Sequence, residues 1–312
     1  MRVFVTGASG FIGSAVVREL IGAGHQVVGL ARSNASADTL AAAGSEVHRG
    51  SLDDLNSLRD GAEGSDGVIH LAFIHDFTQY EKAVRADQLA IDAIGTVLQG
   101  SGRPLVIASG TAALAPGRVG TERDSLSPNW PRGVAAEATL ALAERNVRSS
   151  VVRLPPTVHG DGDHGFMATL IDVARATGVS GYIGDGANRW PAVHQLDAAS
   201  LFRLAFEQAP AGSVWHAVAD QGVPIRTIAE VIASRLGVPT ISVPTDDAGA
   251  HFGWLGAFLS LDASASSEIT RELLHWEPTQ VGLIDDLKAG HYFLDRPPTA
   301  LSASILEPAG RS

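Results

Sequence analysis

Cysteine is absent from the 312 residues, which excludes disulfides, thiolate nucleophiles and cysteine-based zinc or iron–sulfur sites. Aromatic residues make up only 6%, with three tyrosines, Tyr80, Tyr182 and Tyr292, and the only lysines are Lys82 and Lys288. Positive charge is also short: 23 Lys and Arg against 34 Asp and Glu leave a net charge of −11. Such a surface repels phosphate backbones and anionic lipid, and no local basic patch offsets it, so no nucleic-acid partner is expected. No apolar run approaches the roughly 18 residues of a membrane span. Val3-Phe4-Val5 meets Gly7 well before the run of about 7 to 15 apolar residues that a secretory signal needs, so a cytoplasmic location without membrane partners is expected.

What is present is ordinary for a globular chain: 45% hydrophobic and 18% charged residues. At roughly 100 to 200 residues per domain the length suits about two lobes. Up to about residue 155, short apolar runs alternate with longer amphipathic stretches, the pattern of β-α units around a buried parallel sheet. Strands are expected at Val3–Thr6, Gln26–Leu30, Glu46–Arg49, Gly67–Ala72, Pro104–Ser109 and Ser150–Leu154, and helices at Phe11–Gly22, Ala83–Leu98 and Val134–Arg145. This predicts an α/β class, a Rossmann-type doubly wound sheet over residues 1–155 with ligands at the carboxyl ends of its strands. Residues 156–295 read as a smaller, mostly helical substrate lobe, of which segments near 180–205 return to the sheet. Residues 296–312 read as a mobile tail.

Thr6-Gly7-Ala8-Ser9-Gly10-Phe11-Ile12-Gly13 joins the first strand to the first helix. Gly7 makes the tight turn, Gly10 lets backbone approach a pyrophosphate, and Gly13 lets the helix sit close on the strand. The helix N-terminus then offers free N–H groups to the diphosphate. At the end of the second strand an NAD site usually carries Asp or Glu on the ribose 2′-hydroxyl. Arg32, Ser33 and Asn34 stand there instead, favouring NADP over NAD; the alternative is that Arg32 merely solvates a strand end.

The glycine loop, His70-Leu71-Ala72, Val106-Ile107-Ala108-Ser109 and Val152-Arg153-Leu154-Pro155-Pro156 fall in an order and spacing that resembles the extended short-chain dehydrogenase/reductase family, the NAD(P)-dependent epimerase/dehydratase group, over about residues 1 to 200. Gly184-Asp185-Gly186, Asn188-Arg189-Trp190 and Val193-His194 to Asp197 look like its later segments. The resemblance implies cofactor contacts from Thr6, Gly7, Ser9, Gly10, Phe11, Ile12, Gly13, Arg32, Ser33, Ser51, Leu52, Leu71, Ala72, Pro155 and Pro156. It also implies a small-molecule substrate and makes a homodimer an expectation.

Typical members use a tyrosine acid and a lysine four residues later. Four residues beyond the three tyrosines stand Val84, Gly186 and Arg296, so that pair does not exist in this chain. Arg132 takes the tyrosine place and Ala136 the lysine place. Arginine does not release a proton near neutrality, although it can stabilise an anion; a surface arginine after Pro131 is the alternative. Ser109 and Thr111 stand where a hydroxyl would polarise the substrate. His159 and His164, with Asp163 nearby, are the candidate proton donors, against the plainer reading of loop histidines bonded to backbone. A metal site is not expected from their spacing. Phe73, Asp163, Arg189, Trp190, His194 and Trp254 are the candidate substrate contacts, although Trp190 could plug the space between lobes and Trp254 could be core. His70 is expected beside the cofactor.

These features point to an NADP-dependent oxidoreductase moving hydride to or from a small, mainly apolar carbonyl or imine. A non-catalytic NADP-binding regulator or redox sensor, and a sugar-nucleotide epimerase or dehydratase, remain the alternatives.

Overall fold

The computed structural model describes residues 1–74, 79–112, 114–126, 131–295 and 297–306. The first half alternates strands and helices: β1 Arg2–Thr6, α1 Phe11–Gly22, β2 Gln26–Ala31, α2 Asn34–Ala42, β3 Glu46–Arg49, α3 Leu55–Glu63, β4 Gly67–His70, α4 Tyr80–Leu98, β5 Pro104–Gly110, α5 Pro131–Ala141 and β6 Arg148–Leu154. The second half adds β7 Thr157–His159, α6 Phe166–Thr177, β8 Ser180–Ile183, β9 Arg189–His194, α7 Gln195–Gln208, β10 Ser213–His216, β11 Asp220–Pro224, α8 Ile225–Leu236 and β12 Thr240–Val243. Five short helices follow: α9 Ala248–Phe252, α10 Leu255–Leu259, α11 Glu268–Leu274, α12 Leu283–Ala289 and α13 Ala300–Leu306.

Seven strands form one parallel sheet in the order β10-β6-β5-β4-β1-β2-β3. The strand order reverses between β1 and β4, which opens a crevice at their carboxyl ends. Val3, Val5, Ile69, Val106 and Val152 pack one face against α1 and α7, while Phe4, Val68, Leu105, Ile107 and Val151 pack the other against α3, α4 and α5. Two-sided burial is why these strands read as continuous apolar runs.

The α/β class and the six expected strands stand, with ends shifted by one or two residues. The returning segment is corrected in part: residues 180–183 and 189–194 build two separate small sheets, β12-β8 and β11-β9-β7, whereas α7 does return to pack on α1 and the large sheet, and β10 becomes its seventh strand. The smaller lobe has its own apolar core, built from α6, α8, α9, α10 and α12. The tail is also corrected in part. Ala300–Leu306 is helical and packs on α6, with Thr299 N–H and the Ser302 hydroxyl both donating to buried Asp172 at 2.9 and 2.7 Å. Arg296 and residues 307–312 lie outside the described residues.

Candidate active site

The glycine loop has the geometry its spacing requires. Gly7 takes φ +66°, and a Cβ there would stand 2.7 Å from the Ala72 nitrogen. A Cβ on Gly13 would stand 2.0 Å from the Gly7 carbonyl oxygen, so only glycine lets α1 approach β1 this closely. Gly10 caps α1 without a side-chain hydrogen bond, which leaves the first N–H groups of the helix available to an anion. Ser9, Phe11 and Ile12 lie half-buried along this loop, and Leu71 and Ala72 close the crevice from β4.

Beneath the loop runs a buried chain of hydrogen bonds. Leu71 N–H and Ala72 N–H donate to Thr6 Oγ1 at 3.2 Å each. The Thr6 hydroxyl lies 2.9 Å from His70 Nδ1, and His70 Nε2 lies 3.1 Å from Asp87 Oδ1 on α4. All donors are matched when the threonine hydroxyl donates to Nδ1 and Nε2–H donates to the carboxylate. His70 therefore acts as a strut between the glycine loop and α4.

At the end of β2, Arg32 is exposed and carries its charge into solvent beside the loop. Ser33 is engaged elsewhere: its hydroxyl accepts from Ser36 N–H at 3.1 Å as the N-cap of α2, within a capping box. Arg49, which sequence reading overlooked, donates to the Ser33 carbonyl at 2.9 Å and to Asn34 Oδ1 at 3.0 Å. The parallel register that sets Ala31 opposite Arg49 is the signal that brings a second cation here. Ser51 and Leu52 are half-buried just past β3, on the same edge.

The carboxyl end of β5 carries the other polar cluster. Ser109 and Thr111 are buried at 3% and 1% exposure, and neither hydroxyl has a hydrogen-bond partner among the described residues. Arg132, on the first turn of α5, donates from Nη2 to the Ala108 carbonyl at 2.8 Å and lies 4.3 Å over the Phe73 ring. Its Nε is buried and unpartnered among the described residues. Ala136, one turn later, is packed into the core. Uncompensated buried donors are costly, so a group of them at a strand's carboxyl end is a candidate place for a ligand to complete the bonding.

The loop beyond β6 is assembled differently. Pro155 is buried and Pro156 half-buried, as expected of residues that shape backbone. His159 is fully buried, with Nδ1 2.8 Å from Asp286 Oδ2, while Asp286 Oδ1 lies 3.0 Å from His291 Nε2. Burial would raise the Asp286 carboxyl, but hydrogen bonds from His159 and His291 overcome it and hold the group below its ordinary range. His159 is thus sealed from solvent and tied through Nδ1 to a carboxylate, with Nε2 left without a partner among the described residues.

Asp163 likewise accepts from Gly165 N–H at 2.6 Å and from the Tyr292 hydroxyl at 2.8 Å. Burial pushes both the Asp163 carboxyl and the Tyr292 phenol upward. Asp163 thus fastens the loop to the chain's last turns rather than facing outward. His164 alone of the two candidate donors is exposed, with its ring edge-on to Phe11 at 5.9 Å, beside the glycine loop.

Four further candidates have structural partners of their own. Trp190 is 1% exposed inside the second core, so it is packing within the smaller lobe rather than a substrate wall or a plug between lobes. Arg189 pairs with Asp262 at 3.2 Å. His194 caps α7 by accepting from Leu196 N–H at 3.2 Å and meets His159 edge-on; burial lowers its pKa. Trp254 stacks with Phe166 and Phe258 and donates from Nε1 to the Leu301 carbonyl, which makes it lobe packing clasped by α13. No helix among the described residues is long and apolar enough to cross a membrane.

Comparison with known proteins agrees with this geometry. An uncharacterized protein of Schizosaccharomyces pombe is 52% identical over 295 residues, covering 94% of this chain and 100% of its own length. A 4-hydroxy-2-methyl-3-oxo-4-farnesyl-3,4-dihydroquinoline-1-oxide ketoreductase of Stigmatella aurantiaca is 27% identical over 81% of this chain and 80% of its own. Among solved structures, MoeE5 in complex with UDP-glucose and NAD shares the fold with a TM-score of 0.73 at 24% identity, covering 93% of this chain and 97% of that one. The family model described as NAD dependent epimerase/dehydratase matches residues 3–217. With the glycine loop, the switch-point crevice and the seven-stranded order all in place, the chain belongs to the NAD dependent epimerase/dehydratase family.

Proposed function

We propose that the protein is an NADP-dependent oxidoreductase that transfers hydride to or from a small, mainly apolar carbonyl or imine compound. The observation that carries this reading is the pair of buried hydroxyls of Ser109 and Thr111, unpartnered among the described residues, beside Arg132 at the carboxyl end of the strand facing the dinucleotide crevice. A carbonyl oxygen or imine nitrogen accepts a hydrogen bond from either hydroxyl, and the guanidinium stabilises negative charge that develops there. The ketoreductase relative supports the reaction class.

The residues present fit a nicotinamide dinucleotide. Gly7, Gly10 and Gly13 clear the approach of the pyrophosphate to α1, and the uncapped helix end receives its charge. Arg32 and Arg49 frame the end of β2 with two cations and no carboxylate, an arrangement suited to a 2′-phosphate. When bound, the cofactor supplies the hydride, and the protein orients the substrate and excludes water.

The test joins calorimetry to a substrate panel. NADPH is expected to bind at least about tenfold more tightly than NADH, a difference of roughly 1.4 kcal/mol. Loss of NADPH absorbance is expected with members of a set of aldehydes, ketones and cyclic imines. Tight binding without consumption would instead establish the regulator, and absence of binding would remove the cofactor assignment altogether.

A further inference from the structure

Tyr80 opens α4, whose N-terminus lies at the carboxyl edge of the sheet. Asp87, seven residues on, reaches His70 at the end of β4. Seven residues are close to two helical turns, so Tyr80 and Asp87 share the face of α4 turned toward the sheet. Tyr80 therefore projects above the ends of β4 and β5.

There its ring meets Phe73 edge-on, with centroids 6.1 Å apart, and the guanidinium of Arg132 lies 4.3 Å over the same Phe73 ring. Arg132 in turn holds the Ala108 carbonyl, next to Ser109. The Phe73 ring and the Ala108 carbonyl thus link a phenol, a cation and the neighbourhood of a buried hydroxyl at the starts of two helices and the ends of two strands.

Resting on the oxidoreductase reading above, we propose that Tyr80 is the general acid of the reaction and that Arg132 stabilises its phenolate, a phenol–cation pair assembled from α4 and α5 instead of from one helix. In the reducing direction the carbonyl carbon gains a hydride from NADPH, and the C=O π pair moves to oxygen. The Tyr80 O–H bond breaks as its proton passes to that oxygen, giving the alcohol, NADP⁺ and a phenolate that is reprotonated from water. Oxidation runs the same steps backward. A preformed iminium needs only the hydride and no proton at nitrogen, so it bypasses Tyr80.

The surroundings suit the role. Burial pushes the phenol above its ordinary value of 10, the Arg132 charge pulls it down, and Asp87 pushes it up. Among the described residues, the charged and titratable groups that act on it are Arg132 on α5 and Asp87 on α4, with His70 on β4 behind Asp87. The resting phenol is protonated at neutral pH, as an acid must be.

The deciding experiment measures Tyr80→Phe and Arg132→Gln beside the unaltered protein. In Tyr80→Phe, the ratio of ketone reduction to reduction of an N-methyl cyclic iminium is expected to fall at least about 100-fold, with calorimetric NADPH affinity held within about twofold. Without cofactor, ultraviolet titration of the tyrosines is expected to show the Tyr80 phenol titrating at higher pH in Arg132→Gln than in the unaltered protein, and Arg132→Lys is expected to restore it. An unchanged ratio in Tyr80→Phe, or an unmoved Tyr80 titration in Arg132→Gln, overturns the proposal while leaving the oxidoreductase reading intact. No NADPH consumption by the unaltered protein, with ketone or iminium, overturns both.

Discussion

The end of β5 and the loop after β6 lie on the same carboxyl edge of the sheet, yet they differ in how far their polar groups are tied down. Around β7, the side chains that look chemically active are each tied to a partner: His159 Nδ1 and His291 share Asp286, and Asp163 accepts from Tyr292 and Gly165, while His159 Nε2 and the Thr157 hydroxyl have none among the described residues. At β5, modest hydroxyls and one guanidinium nitrogen are left without partners among the described residues. A histidine's capacity for proton transfer is a property of the free side chain, whereas reactivity in a fold depends on which hydrogen bonds the fold has left open. The difference separates groups that fasten the smaller lobe to itself from groups whose bonding the fold leaves open.

The sharpest way to break this comparison is Asp286→Ala. It strips the acceptor from a fully buried imidazole and from His291, and removing one partner of a buried pair costs about 3–5 kcal/mol. Urea unfolding is expected to register that loss, while the turnover of the protein that remains folded stays within about twofold. Normal stability with abolished turnover would show that the histidine cluster is catalytic and the division mistaken.

A second buried cluster sharpens it through pH. His216 Nδ1–H donates to the Ser266 carbonyl at 2.7 Å, and its Nε2 faces Arg153 at 3.3 Å, so the ring is held neutral. Burial, with Arg153 adding to it, lowers its pKa from the ordinary 6.5 to about 4, although Glu122 pulls the other way. Above 6.5 neither the folded nor the unfolded chain protonates this ring, and its contribution to stability is intact. As pH falls from 6.5 toward 4 the unfolded chain takes up a proton that the fold refuses, so stability is lost at up to about 1.4 kcal/mol per pH unit from this group. His216→Gln is expected to flatten that limb of the denaturation midpoint against pH; an identical slope would contradict the assignment.

How far the sequence disclosed this division follows from the range of the interactions. The glycine loop was legible because its parts lie within eight consecutive positions and each glycine has a local steric task. The β-α alternation was legible because two-sided burial makes a strand apolar throughout. The partner of His159 was not, because Asp286 lies 127 residues away and only tertiary folding brings them together. Strand β10 is a four-residue run whose place is fixed by pairing with β6, and α13 is a seven-residue helix whose Thr299 and Ser302 are matched by Asp172 far upstream. Tyr80 has no lysine four residues on, because Lys82 stands only two residues along α4, and the cation proposed to serve it, Arg132, lies on α5.

Arg49 tests whether cofactor choice also lies in a group that sequence proximity conceals. Charge-assisted bonds to phosphate contribute roughly 1.5–3 kcal/mol. Arg49→Ala is therefore expected to weaken NADPH roughly 10- to 100-fold and NADH much less, as read by calorimetry. Equal weakening of both would make Arg49 a brace for the Ser33–Asn34 turn.

The smallest expected change in stability has the opposite sign. Ser109→Ala and Thr111→Val each remove a buried hydroxyl that lacks a partner among the described residues. A buried unmatched polar group costs roughly 1–3 kcal/mol, part of which an apolar replacement of similar shape recovers. Each variant is expected to gain up to about 1 kcal/mol in urea unfolding while losing turnover at least about tenfold. Such a gain is not expected where side chains are already matched, as at Asp163 or Thr6, because cutting into those networks orphans a neighbour. Were Ser109→Ala less stable than the unaltered protein, its hydroxyl would belong with the struts around β7 and the site would shrink to Thr111 and Arg132.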